Sequence, residues 1–420
     1  MFRLSQRLGN VQEVAVWRLC QGCGACADIC PEQRVQLVDF PREGLRPVIT
    51  EPEKCEGCDL CLKTCPACEL NYSALWSRPG IIAEVADLCG PVLEIWEGHA
   101  ADPELRFKGA SGGLLTALAL FGLEKRGFHG VLHIGPDPSN PLRNQSHLSR
   151  TRADLLARCG SRYLPASACD SLKLIEQSPA PCVFIGRPDE VSALRKAQSL
   201  RPELNRKVGL ALSFFCAGVP ATQGTLDLLA AQGIRPEMVG ELRYRGHGWP
   251  GHFTVLAPHE TKPACQMPYA ESWSFLQKFR PLSVHLWPDG TGEEADISCG
   301  DPWHVEITPE MPGSSLAVVR TEYGRAFLQA AAQAGFVEVA PSSPRNLLAS
   351  QKSLLDKRRA LWGRRLMFQL CGLPTTRLVG FPLRRLWRGL PWREKMRSTL
   401  GTLWRILRRG YYRPLQLKRQ

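Results

Sequence analysis

The run CQGCGACADICP, from Cys20 to Pro31, returns as CEGCDLCLKTCP from Cys55 to Pro66, and this repeat constrains the chain more than any other feature. Both copies read C-x2-C-x2-C-x3-C-P at a period of 35 residues, and nine of the 17 cysteines lie between Cys20 and Cys68. The N-terminus MFRLSQRLGNVQEV lacks the unbroken apolar run of a signal peptide. The longest apolar stretch, GASGGLLTALALFGL (Gly109 to Leu123), is too short and too glycine-rich to span a bilayer. A reducing, cytoplasmic compartment is therefore expected, and there clustered cysteines point to metal and not to disulfides.

The spacing is that of bacterial two-cluster ferredoxins. Three closely spaced thiolates wrap three corners of a cubane, and the fourth, followed by proline, points away to complete the cluster of the other run. The expected ligand sets are Cys20, Cys23, Cys26 and Cys65 for one [4Fe–4S] centre, and Cys55, Cys58, Cys61 and Cys30 for the other. Gly22, Gly24 and Gly57 allow tight turns that bring backbone N–H groups toward the sulfurs. Structural zinc is the alternative, but zinc sites pair separated C-x2-C knuckles. Cys68, the ninth cysteine, reads as a bystander.

Beyond this unit, strands and helices alternate. Val131–Gly135 reads as a strand after a helix in GGLLTALALFGLEKRG, capped by Ser111 and stopped by Gly127. PCVFIG and KVGLALSFFCAG read as buried strands, each followed by a helix, and SLAVVR opens a further strand–helix–strand unit. The expected fold is an α/β body with mostly buried strands, preceded by a small two-cluster ferredoxin-like domain and followed by a basic helical tail. The expected divisions are 1–78, 79–165, 166–345 and 346–420.

Several segments of the body are rich in glycine beside cationic and aromatic residues: GASGG, GSRYLP, FFCAGVP, YRGHGWPG and PDGTGEEADISCGDPW. In this order they resemble the beta-subunit family of coenzyme F-420 hydrogenases and dehydrogenases, whose relatives include reductases of chlorophyll derivatives. The resemblance spans roughly residues 10 to 340. It implies a flavoprotein that binds FAD in the α/β body and exchanges hydride there, with single electrons passing through iron–sulfur clusters. The positions it carries over for FAD contact are Ser111, Gly112, Gly113, Gly160, Ser161, Tyr163, Arg245, Gly246 and Trp249. Tyr163, His247 and His252 are candidate proton donors only because they neighbour motif glycines.

One part of the resemblance fails. Many members look as though they hold a further cluster in the body, on cysteines of three separate stretches. Here Asp189, Val284 and Trp287 stand at three of the four thiol positions and only Cys216 remains. The expectation is two ferredoxin clusters, a lost body cluster, and its space filled by packing. His285, Cys265 and Cys299 lie nearby in sequence as possible replacements.

The net charge of +13 conceals an asymmetry. From Lys352 onward there are 19 Lys and Arg against two acids, Asp356 and Glu394, while the rest of the chain is mildly acidic. In KMRSTLGTLWRILRR, residues Met396, Leu400, Leu403, Trp404 and Leu407 share one helical face opposite arginines. An anionic membrane surface suits such a tail, giving a peripheral place at the inner membrane surface; packing against the body or a partner subunit is the alternative. Nucleic acid is disfavoured because no recognition motif accompanies the charge. The functional expectation is an iron–sulfur flavoenzyme served by ferredoxin or another redox protein, with an organic hydride acceptor or donor. Against it stands a non-catalytic electron-transfer subunit or partner-binding scaffold.

Overall fold

A computed structural model describes residues 8–55, 57–308 and 311–417. The two cysteine runs are joined by an antiparallel hairpin of β1 (Val35–Phe40) and β2 (Gly44–Ile49), with Val35 opposite Ile49. Each run feeds a short helix, Ala25–Asp28 and Leu60–Thr64, and the second is followed by β3 (Glu69–Asn71). Gly24 enters the first helix at φ 84, and a Cβ there would collide with Ser167 Oγ. Glycine is therefore required twice over, for the backbone and for the docking. Ser167 Oγ and the Cys169 N–H both donate to the Cys23 carbonyl, at 2.7 and 3.2 Å, which pins the first run to the body.

The body is an eight-stranded mixed sheet with a small three-stranded one beside it. In chain order the strands are β4 (Glu94–Ala100), β5 (Val131–Asp137), β6 (Asn140–Ser149), β7 (Cys182–Gly186) and β8 (Val208–Phe214), then β9 (Glu241–Arg243), β10 (His252–Leu256) and β11 (Pro263–Pro268), then β12 (Ile297–Gly300), β13 (Ser315–Val319) and β14 (Val337–Pro341). The large sheet runs β14-β4-β13-β12-β8-β7-β5-β6, and β9, β10 and β11 form the small one. Neighbours among β5, β7, β8 and β12 pair in parallel, and the outer strands are antiparallel. Every residue of β7 and β13 is buried, because helices cover both faces. Val183 and Ile185 face the helix Leu114–Lys125, whereas Cys182 and Phe184 face Pro188–Leu200. Each fully buried Leu or Phe in these layers contributes roughly 1.5–3 kcal/mol.

Three local expectations change. Ser111 does not cap the glycine-rich helix: Gly113, at φ 68, is its N-cap, and Ser111 Oγ donates to the Ser314 carbonyl at 2.8 Å. Strand β8 ends at Phe214, so Cys216 lies in the loop beyond it. The tail helix is broken at Thr399 into Trp392–Ser398 and Leu400–Arg408, so Met396 leaves the face it was expected to share.

The tail is also woven into the rest of the molecule. Its 19-residue helix Lys352–Leu370 crosses the body, and β15 (Arg377–Val379) pairs in parallel with β3. Phe368, Leu373 and Ile406 pack into the core of the cysteine-rich unit. Among the described residues no helix is long and apolar enough to cross a membrane.

Candidate functional site

Cys20, Cys23, Cys26 and Cys65 line one small cavity under Val11 and Val14, so the set expected for one cluster comes together from both runs. The Gly22 N–H donates to Cys20 Sγ at 3.3 Å, as the glycine turn was expected to allow. Burial, followed by neighbouring thiols, pushes Cys23 and Cys26 well up. Four buried thiols cannot all ionise unless cations neutralise them, which the iron of a cubane does. The thiols surround a space and do not converge on a point: among the described residues no three His, Cys, Asp or Glu side chains could hold a single ion.

The second set lies closer to solvent. Cys30, Cys55 and Cys61 are half-buried and Cys58 is exposed. Burial lifts Cys61, with Cys65 and Cys58 adding to the effect, so Cys61 faces both sets. Cys68 was read as a bystander; its thiol and that of Cys65 shift each other's pKa, Cys65 upward and Cys68 downward, so it lies at the edge of the inner set.

Next to the inner thiols is a second cavity, of about 40 Å³, and the four body positions singled out in the sequence meet here: Asp189, Cys216, Val284 and Trp287 all line it. One thiol remains of four, and one thiolate does not hold a cubane. Val284 packs on Gly218, where even a Cβ would collide with it. His285, Cys265 and Cys299 do not line this space. The residues therefore do not fit a body cluster. Instead Arg187 pairs with Asp189 at 3.0 Å and Glu190 at 3.2 Å. Burial lifts Glu190 to about 7 against the pull of Arg187.

The third cavity is the largest, about 340 Å³, within the range of small-molecule sites. The N-terminus of the helix Leu114–Lys125 opens onto it through Ser111 and Gly113, offering the positive end of a 12-residue dipole. Across the cavity Tyr269 stacks on Trp303 at 5.8 Å, and the Arg245 guanidinium lies 4.4 Å over Tyr269. Asp301 accepts from both terminal nitrogens of Arg245, at 2.9 and 2.5 Å, and from Trp249 Nε1 at 2.8 Å. Burial opposes the charge of Arg245, and Asp301 overrides it, so its pKa rises. His133 also lines the wall, bonded to Ser149 Oγ at 2.8 Å; burial pushes it down to about 4, so it is neutral. A helix N-terminus for a diphosphate and a flat aromatic wall for a ring suit a flavin dinucleotide.

Of the positions expected to touch FAD, Ser111, Gly113, Gly160, Ser161, Tyr163 and Arg245 line this cavity. Gly112, Gly246 and Trp249 do not line it. Gly112 permits the close approach of Gly313, Gly246 that of the Lys108 carbonyl, and Trp249 braces Asp301. Neither His247 nor His252 lines it: both are exposed, and His247 packs on Phe107. This separates them from any chemistry in the cavity. Tyr163 remains, its ring against Tyr244 and Trp273. Asp301 and Trp303 end the segment PDGTGEEADISCGDPW but were not singled out within it, and Tyr269 and Trp273 fall in none of the segments singled out in the sequence.

A dicluster unit docked on an α/β body whose largest described cavity joins a helix N-terminus to an aromatic wall defines an iron–sulfur oxidoreductase. Residues 95–173 match the N-terminal and residues 181–345 the C-terminal beta-subunit domain of coenzyme F-420 hydrogenase/dehydrogenase, and residues 19–68 match the 4Fe–4S dicluster domain. The chain belongs to this beta-subunit family, one whose members bind FAD. It is 25% identical over 247 residues to the coenzyme F-420 hydrogenase subunit beta of Methanococcus voltae, covering 57% of this chain and 81% of that protein. It is 22% identical over 359 residues to an uncharacterized protein of Methanocaldococcus jannaschii, covering 80% and 93%. Its fold is similar to a chain of the F-420-reducing [NiFe] hydrogenase complex of Methanosarcina barkeri, with TM-score 0.53, 21% identity, and coverage of 70% and 98%.

Proposed function

We propose that this chain binds two [4Fe–4S] clusters and FAD and passes electrons between a redox partner and an organic hydride acceptor or donor of deazaflavin or pigment type. The observation that carries this reading is the continuity of the three cavities. Gln21 and Gly22 line both the first and the second, and Arg187, Cys216 and Gly218 line both the second and the third. The outer thiols, with Cys58 exposed, would hold the cluster that meets the partner, and the inner four the cluster that faces the body. Ser111, Gly113 and the helix start would hold the diphosphate of FAD; Arg245, Tyr269 and Trp303 would flank its ring. FAD supplies the coupling of one-electron to two-electron chemistry. Ferredoxin, or another redox protein, would meet the exposed thiols.

Anaerobic purification followed by iron, sulfide and flavin analysis tests this reading. One FAD with roughly eight iron atoms per chain is expected. Iron without flavin after reconstitution with FAD would replace the enzyme with the electron-carrier reading.

For the tail, the partner proposed is an anionic membrane surface. Leu400, Trp404 and Leu407 form an outward apolar stripe on the helix Leu400–Arg408, and Trp392, at the start of the preceding helix, is 71% exposed. Arg408 lies 4.7 Å over the Trp404 ring, and the neighbouring positions carry arginines without acids. Tryptophan beside arginine suits the interface of an anionic bilayer. Truncation at 352 would remove cavity walls, so substitution of Leu400, Trp404 and Leu407 by serine is the cleaner test. The intact chain should float with phosphatidylserine vesicles and the triple variant should not. Failure of the intact chain to float would leave the stripe to a protein partner.

A further inference from the structure

We infer that the middle cavity, where a body cluster does not fit, binds a small oxyanion of the sulfate, phosphate or bicarbonate class. The argument rests on hydrogen-bond donors with nothing to donate to. Three side chains that line this cavity carry a fully buried N–H with no partner among the described residues: Arg46 Nε, Arg187 Nε and Trp287 Nε1. All three residues are more than nine-tenths buried, at 3%, 6% and 5% exposure. A buried polar group left unsatisfied costs roughly 1–3 kcal/mol, so three around one space form a built site and not a scatter of defects.

A fourth donor joins them. Lys357 reaches the same cavity from the helix Lys352–Leu370, and no hydrogen bond or ion pair engages its ammonium among the described residues. Burial pushes its pKa down to about 8; Arg280 and Arg364 add to this, and Cys216 and Asp289 oppose it. It is a cation short of a counter-ion.

The acceptors that line the space are already committed. Asp189 is paired with Arg187, and Glu43 lies 3.8 Å from Arg46. Asp289 accepts the backbone N–H groups of Thr291, Gly292 and Glu293, each at 2.8 Å. Cys216 Sγ accepts from the Gly218 N–H at 3.3 Å. Donors are therefore in excess, and the missing partner is an acceptor-only group. Water answers less well, because each water brings two further donors. A cavity of about 40 Å³ admits about three water-sized oxygens, which matches a small oxyanion and excludes a nucleotide.

The position gives such an anion a role. It would sit against Gln21 and Gly22 of the inner cysteine loop and against Arg187 and Cys216 of the largest cavity. A negative charge there disfavours reduction on both sides, so its binding would set the driving force between them.

The test uses the full-length, anaerobically purified protein. Sulfate, titrated against chloride at matched ionic strength, is expected to raise the melting temperature saturably and to shift the cluster midpoint potential to more negative values. Lys357→Met should weaken sulfate binding at least tenfold and Trp287→Phe several-fold. Lys352→Met, an exposed position on the same helix, should change nothing. Lys357→Met removes a half-buried charge that no hydrogen bond or ion pair engages among the described residues, and so should fold. Crystals soaked in selenate should show selenium anomalous density within hydrogen-bond reach of Trp287 Nε1. Absence of a saturable sulfate effect, undiminished sulfate affinity in Lys357→Met, selenate density only elsewhere, or iron anomalous signal in the cavity would each overturn the proposal.

Discussion

Arg187 donates to the carbonyl oxygen of Gln21 at 3.5 Å, joining the wall of the largest cavity to the loop between Cys20 and Cys23. Arg187 is buried and, among the described residues, is the one cation paired with both Asp189 and Glu190. Its replacement by methionine leaves two buried carboxyl groups without a counter-charge. Loss of one member of a buried pair costs about 3–5 kcal/mol. Arg187→Met should therefore lower the melting temperature of the intact protein markedly, and the double variant with Asp189→Asn should recover part of the loss.

The two thiol sets predict a graded iron content. Cys65→Ser takes a ligand from the inner set alone, so iron should fall from roughly eight to roughly four atoms per chain. In the other direction, Asp189→Cys, Val284→Cys and Trp287→Cys together would surround the middle cavity with four thiols, Cys216 included. Chemical reconstitution of this variant should raise iron toward roughly twelve. Iron that stays at eight would mean that these four positions, though they share a cavity, cannot ligate one cluster.

Acid should destabilise the body through His133. Burial holds its folded pKa near 4, below the ordinary 6.5, so the unfolded chain binds the proton more readily. The stability this provides is complete above pH 6.5 and is lost as pH falls toward 4, on the order of 3 kcal/mol. His285, pushed down to about 3 by burial, acts with the same sign. Urea midpoints between pH 7 and pH 4 should fall less steeply in His133→Asn than in the parent.

Asp301 clamps Arg245 and Trp249 together beneath the aromatic wall. A hydrogen bond to a charged group contributes about 1.5–3 kcal/mol. Asp301→Asn should therefore bind FAD at least tenfold more weakly, read by fluorescence on flavin release, while the circular dichroism spectrum is unchanged. Equal flavin retention would place the ring of FAD away from Arg245.

What the sequence disclosed and what it withheld divide along the range of the interactions. The cysteine runs were legible because three of the four ligands expected for each cubane fall within seven residues of one another, and that spacing survives in one dimension. The buried strands CVFIG and SLAVV were legible because two covered faces demand an unbroken apolar run. The aromatic wall was not, because Tyr269 and Trp303 lie 34 residues apart and meet only through the packing of the small sheet against the large one. The glycine motifs marked the right neighbourhood without separating residues that face the cavity, such as Gly160, from those that let backbones touch, such as Gly112. His247 stood in a motif and pointed outward.

Pairing of β15 with β3 places residues 377–379 beside the stretch that directly follows Cys68. The cysteines are therefore made roughly 300 residues ahead of the strand that finishes their housing. Iron insertion before that strand is made would act on a half-built shell, so maturation factors should prefer a chain that already carries it. Any cut upstream of residue 377 should yield a protein whose clusters decay faster in air than those of the intact chain.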